Sequence, residues 1–270
     1  MLKPISEAHS IESISLICEF SGEVDASGLA MVRTESSRLK GRFPIKRTIR
    51  KGRPDAHDPQ GSSPDVVGHV YVNKLAEKEV TRFDIFQSRA SFTSKAYTNF
   101  NSFLADASFA LSLAHQAYSK SGHTIDRIVL SYRDEFVSDT IDWPIHETLN
   151  TDTKYIAKAC LREGDFWHSQ IGVFDNDQPR GLPLLHNIKV SHVILTNEDG
   201  EPAPFAESKY ILAIDLLHVL KVTEPNSGES FSAMLDESAH TLRDFHKNIL
   251  KDILSDKMVE RIGLARNEGR

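Results

Sequence analysis

Between Lys209 and Val222 the chain carries its longest apolar stretch, and the spacing there admits one kind of element. Tyr210, Leu212, Ile214, Leu216, His218 and Leu220 alternate with Ile211, Ala213, Asp215, Leu217 and Val219. A period of two puts these sets on opposite faces of a strand. Both faces are apolar, so the strand belongs at the centre of a sheet covered on both sides, or against a second copy or a partner. Asp215, His218 and Lys221 interrupt the stretch, which falls short of the ~20 apolar residues of a membrane-spanning helix. No basic segment followed by an apolar core opens the chain at Met1–Ser10. The expected location is the cytoplasm.

A central strand needs neighbours. Ser10–Phe20 alternates, with Ile14, Leu16, Cys18 and Phe20 on the more apolar face. Asp25 or Ser27 caps a helix predicted to run to Arg42, and Phe43-Pro44 ends it. Ile45–Ile49 is a short strand. Gly52–Asp65, with three prolines, is a loop. Val66–Val72, Glu79–Gln87 and Arg89–Tyr97 are strands joined by short polar turns, hence antiparallel hairpins. Asn99 caps a helix whose stripe is Phe100, Phe103, Leu104, Ala107, Leu111, Ala114 and Tyr118, and Gly122 stops it. Ile125–Phe136 is a strand.

This first half has the order β-α-β-β-β-α-β, a ferredoxin-like elaboration. Further on, helical pieces are expected after Trp143-Pro144 and over Thr153–Arg162. Strands follow over Phe166–Phe174 and Leu185–Thr196, with a turn at Asn197–Gly200. Ser230–Leu254 is a long amphipathic helix, followed by a helical tail from Asp256. The expected fold class is α+β: a curved, mainly antiparallel sheet with a long C-terminal helix packed on it. A single domain over residues 1–270 is expected, with 1–138 and 139–270 as sub-halves.

The chemistry is less legible. A net charge of −6 argues against a general binder of phosphate backbones. Even so, Arg38–Arg53 is strongly basic, and Lys46, Arg47 and Arg50 are candidate contacts for a nucleotide or nucleic acid. Phe166-Trp167-His168-Ser169 is an unusual run; on a strand Trp167 faces the core and His168 the other side. His218 and His240 complete the candidate binding residues. No catalytic residue is assigned, because no nucleophile elbow, phosphate loop or Cys-x-x-Cys pair is present. Carboxylate clusters such as Asp134-Glu135 read as strand ends and turns.

A metal site is not expected. His240 and His246 sit about 240° apart around a helix, and His186 and His192 lie about 20 Å apart along a strand. A set drawn from His9, His168 and His218 is the one metal alternative. No cofactor is expected, and Cys18 and Cys160 are read as buried reduced thiols.

His9-Ser10-Ile11-Glu12, Leu39–Pro44, the Tyr132, Asp134 and Phe136 strand, Trp143, Phe166–Ser169 and the final helix with Asp236, His240, Phe245 and His246 form an ordered series. In that order and spacing the chain resembles a sporadically distributed family of prokaryotic proteins of similar length with no assigned function. The likeness is to the branch with a Phe/Leu-Trp-His-Ser strand; Ser131 stands where other branches have Arg. The resemblance implies a prokaryotic cytoplasmic protein of patchy distribution, for which a defence or toxin–antitoxin type locus is the associated expectation, and names no catalytic residue.

Three functions remain. The first is a non-catalytic protein-binding partner or regulator, alone or as a homodimer, suggested by the doubly apolar strand. The second is an enzyme or sensor for a nucleotide or nucleic acid, using Arg38–Arg53. The third is a small-molecule pocket between the sheet and the C-terminal helix.

Overall fold

A computed structural model describes residues 2–6, 9–50, 66–175, 184–194, 209–222 and 230–264. The Gly52–Asp65 loop and the Asn197–Gly200 turn lie outside these residues. The elements run β1 (Lys3–Pro4), β2 (Ile11–Phe20), α1 (Ala26–Thr34), α2 (Ser36–Arg42), β3 (Ile45–Arg50), β4 (Val66–Leu75), β5 (Lys78–Phe86), β6 (Arg89–Ser94), α3 (Phe100–Lys120) and β7 (Ile125–Ser138). They continue with α4 (Ile145–Thr148), a one-turn 3-10 helix (Lys158–Cys160), β8 (Trp167–Asp175), β9 (Leu184–Ile194), β10 (Tyr210–Lys221), α5 (Phe231–Ile253) and α6 (Asp256–Arg261). The fold is α+β, with an open ten-stranded sheet in the order β3-β4-β5-β6-β2-β7-β10-β9-β8, and β1 paired to β7.

The chain divides into two compact units that interleave in sequence. One holds residues 15–129 and 220–239; the other holds 1–14, 130–219 and 240–270.

In the first unit, β3 to β6 form successive antiparallel hairpins. Alternation decides which side chains turn inward: Phe83 and Ile85 of β5 and Ala90 and Phe92 of β6 are buried. Asn99 caps α3 through Ser102 N, and Gly122 follows it at φ 80°. The Tyr118 hydroxyl donates to Gln87 O and Arg89 O, fastening α3 to the β5–β6 turn.

The helix predicted from Asp25 to Arg42 is two helices, broken at Glu35. The Thr34 hydroxyl donates back to Met31 O, a bond that competes with the helical ladder. Asp25 caps α1, and bonds from Gly28 N, then Ser27 and Ser121, pull its carboxyl down to about 2. Gly28 lets α1 approach α3: a Cβ there would come within 2.6 Å of Ala117 O.

In the second unit, β8 and β9 pair antiparallel along an unbroken register from Trp167↔His192 to Asp175↔Leu184. Within the sheet order, β10 lies between β7 and β9, the central place its two apolar faces require. Leu212, Ile214 and Leu216 of β10 pack with Ile188 and Val190 of β9 and with Ile249, Leu250 and Ile253 of α5. Each such side chain contributes roughly 1.5–3 kcal/mol by leaving water. The C-terminal part of α5 therefore packs on the sheet. On the other face, Asp215 is held by Arg133, whose guanidinium also bonds Glu135. The helix expected over Thr153–Arg162 shrinks to the 3-10 turn. Thr153 turns its hydroxyl to Asp252, at 2.5 Å, instead of continuing a helix.

Candidate functional site

The second unit brings ionisable side chains together on the sheet face beneath α5. On a strand, residues two apart share a face. Tyr132 and Asp134 of β7, His218 of β10 and His186 of β9 are thus the in-facing members of three strands adjacent in the sheet. All four are buried. His246 enters from α5, one residue after Phe245, and stacks on the Tyr132 ring with centroids 3.6 Å apart.

These groups form a series. His186 Nδ1 lies 2.8 Å from His218 Nδ1. The His218 and His246 rings are 6.0 Å apart, centre to centre. His246 Nε2 is 3.5 Å from Asp134 Oδ2, and Ser10 donates to Asp134 Oδ1 at 2.6 Å. Burial pushes the Asp134 carboxyl up to about 7, against the Ser10 bond and with help from the Asp215 charge. Burial also drives His218 down to about 3, and holds His246 and His186 below the ordinary imidazole value. Desolvation thus favours the neutral form of every member. His246 and Asp134 make a neutral polar contact rather than an ion pair; the 3.5 Å approach leaves Asp134 Oδ2 without a hydrogen bond.

Another buried histidine shows what a structural one looks like here. His192 Nε2 accepts from Trp143 Nε1, and its Nδ1 bonds Asp165 O at 2.7 Å. Both nitrogens are satisfied and the tautomer is fixed. By contrast, His218 Nε2, His246 Nδ1 and Asp134 Oδ2 are buried with no hydrogen-bond partner among the described residues. Such groups cost roughly 1–3 kcal/mol each, and a native fold that keeps three together calls for a reason.

The series opens on a cleft of about 550 Å³ between the β8–β9 hairpin and α5. Its walls include Tyr155, Asp175, His186, Phe245, Asn248 and Asp252. His186 is the member that lines it, with Nδ1 taken by His218 and the Asp175 charge on the same wall acting on the ring. Phe245 lies against the His186 ring, 5.0 Å between centroids.

Of the residues singled out from sequence, His218 stands in this series. His240 is half-buried on α5, six residues before His246. Trp167 is half-buried beside the core, with Nε1 unpartnered among the described residues. His168 lies on the exposed face of β8, where its carbonyl accepts from Cys160 Sγ at 3.5 Å. Lys46, Arg47 and Arg50 belong to the other unit and are exposed on β3. The Lys46 ammonium lies 5.5 Å from the centre of the Tyr71 ring, and its pKa is lowered by burial and by Arg33. Among the described residues no group of three or more His, Cys, Asp or Glu could hold a metal ion. Cys18 is buried, its thiol pushed up to about 12; Cys160 is only half-buried.

Sequence reasoning missed His186, His246 and Asp134. A signal existed: each is a polar residue at a core-facing position, Asp134 between Tyr132 and Phe136, and His246 within the stripe of Leu242, Ile249 and Leu250.

No protein-family model matches the chain, and no curated protein matches it significantly.

Proposed function

We propose that the protein binds a small polar molecule in the cleft between the β8–β9 hairpin and α5, with His186 as the contact that recognises it. The observation that carries this is the paired, buried His186 and His218, the first of which reaches the cleft wall. A buried imidazole pair is a poor way to stabilise a core, since apolar residues of equal volume do as well or better. At the wall of a concave site it supplies the oriented polar group that such sites use.

The doubly apolar strand had argued for a protein partner. β10 is an inner strand of the sheet, and packing accounts for its Leu212, Ile214 and Leu216 face; its other apolar face, with Leu217 and Val219 half-buried, keeps a protein partner as the second reading. Among the described residues no helix is long and apolar enough to cross a membrane. A cytoplasmic location is part of the proposal; the two free cysteines support it.

The test is mass spectrometry of small molecules released on denaturing protein purified from cell extract, for wild type and Asn248→Trp. Asn248 is exposed on the α5 wall, so an indole there fills the cleft without burying a polar group. A compound stoichiometric with wild type and absent from Asn248→Trp supports the reading. The same compound at the same level in both refutes the location.

A further inference from the structure

The buried series behind His186 has an order, with a direct contact at each end and two unpartnered nitrogens in the middle. From the cleft inward it reads His186 Nε2, then Nδ1 against His218 Nδ1 at 2.8 Å. Next come His218 Nε2 and His246 Nδ1, both buried and unpartnered among the described residues, on rings 6.0 Å apart. Last are His246 Nε2 and Asp134 Oδ2, 3.5 Å apart, with Ser10 on the other carboxyl oxygen. A neutral imidazole has one N–H and one bare nitrogen. With His218 Nε2 and His246 Nδ1 joined by a water, fixing the proton at one end of the series fixes all three tautomers.

Two arrangements follow, with the same heavy atoms. When Asp134 is a carboxylate, His246 carries its proton on Nε2 and points it there. His218 then carries Nε2–H toward His246, His186 carries Nδ1–H toward His218, and His186 Nε2 is bare at the cleft. When Asp134 is a carboxylic acid, it donates to His246 Nε2. His246 then carries Nδ1–H, His218 carries Nδ1–H, and His186 presents Nε2–H to the cleft.

We propose that His186 exchanges a proton with the ligand in the cleft, as general base or acid, and that His218, His246 and Asp134 carry that proton to and from a buried carboxyl store. The ligand half of this statement rests on the cleft reading above; the proton series does not. In the forward step the ligand loses a proton from an O–H, N–H or activated C–H group to His186 Nε2. The His186 Nδ1 proton passes to His218 Nδ1, the His218 Nε2 proton to the bridging water, a proton of that water to His246 Nδ1, and the His246 Nε2 proton to Asp134 Oδ2. One proton enters, one arrives, and the ligand keeps the electron pair.

No imidazolium has to persist, which agrees with a site whose burial disfavours charged histidine. The store is placed to work near neutrality, since the Asp134 carboxyl is held up to about 7. Transfer between His218 and His246 requires one bridging water, for which two buried nitrogens without protein partners among the described residues, on rings 6.0 Å apart, are the kind of place. The charges facing the series are Asp175 toward His186, with Lys154 and Asp252 on the same cleft wall, Asp215 toward Asp134, and Lys247 and Arg243 toward His246.

The test is long-range ¹H–¹⁵N NMR of the histidine rings against pH, with the Asp134 carboxyl followed by ¹³C, on full-length protein without ligand. The expected result is that all three rings exchange tautomers together, at the midpoint of Asp134. In Asp134→Asn the rings hold one tautomer through the neutral range. In His246→Phe, made separately, His186 and His218 cease to respond to Asp134. A His186 tautomer that stays fixed while Asp134 titrates in wild type overturns the proposal, as does a switch that survives in Asp134→Asn. Because no ligand enters this experiment, its failure is distinct from failure of the cleft to bind.

Discussion

His186 Nδ1 and His218 Nδ1 lie 2.8 Å apart, so one and only one of them carries the proton between them. Replacing either ring by Leu leaves the other with a buried nitrogen and no partner, at a cost of roughly 1–3 kcal/mol. Replacing both removes the unpaired group. The double variant His186→Leu/His218→Leu should be more stable than the sum of the single effects predicts, with a coupling of about 1 kcal/mol. Urea unfolding at neutral pH measures it, and strict additivity would contradict the shared bond.

Stability should also carry the signature of Asp134. Its folded value is about 7 against an ordinary 3.8, so the folded protein retains a proton that the unfolded chain has lost. This carboxyl favours folding at low pH, and that contribution is lost as pH rises through about 7. The depressed histidines act in the opposite sense: theirs is present above 6.5 and lost as pH falls. Asp134→Asn removes only the first effect. Relative to wild type it should gain roughly 2–4 kcal/mol between about pH 4 and pH 8. A constant difference across that range would show that Asp134 titrates normally.

The Trp143–His192 bond is structural, and its loss should be felt as stability alone. Trp143→Phe keeps most of the apolar volume but strands His192 Nε2, which is buried. A loss of roughly 1–3 kcal/mol is expected, with the His186, His218 and His246 ring signals unchanged. Coupled shifts in those rings would mean that the two polar clusters are linked.

One turn is strained in a way a substitution can relieve. Ala76 and Glu77, between β4 and β5, have φ values of 48° and 66°. Two-residue hairpins of this kind favour Asn-Gly, because side chains other than Asn and Asp resist positive φ. Ala76→Asn/Glu77→Gly should raise stability by roughly 1 kcal/mol in thermal or urea unfolding. The exposed Lys74–Glu77 ion pair is lost in exchange, a small sacrifice. No gain would mean that the turn is held by something other than its own φ preference.

Much of this fold was readable from alternation. The inward sets of β2, β5 and β10, the Asn99 and Asp25 caps and the stripe of α5 all follow from local spacing and cap chemistry. The break at Glu35 was not readable, because no proline or glycine marks it; it arises where Thr34 bonds back to Met31. The site was legible only as its separate residues. His186, His218, His246, Asp134 and Ser10 come from β9, β10, α5, β7 and the lead into β2, and sequence order does not say which strands are neighbours. What the sequence did contain was a polar residue at an in-facing position in each of β7, β9 and β10. An inward polar side chain on one strand reads as an exception; on adjacent strands it is a site.

The measurement that bears most directly on the cleft is a ligand-observed NMR screen of small polar molecules, run in parallel on wild type, His186→Phe and Asn248→Trp. The account predicts that one chemical class binds wild type, loses at least about tenfold in affinity with His186→Phe, equivalent to about 1.4 kcal/mol, and fails to bind Asn248→Trp. Binding that is equal in all three proteins would place the ligand elsewhere and contradict the cleft as the functional site.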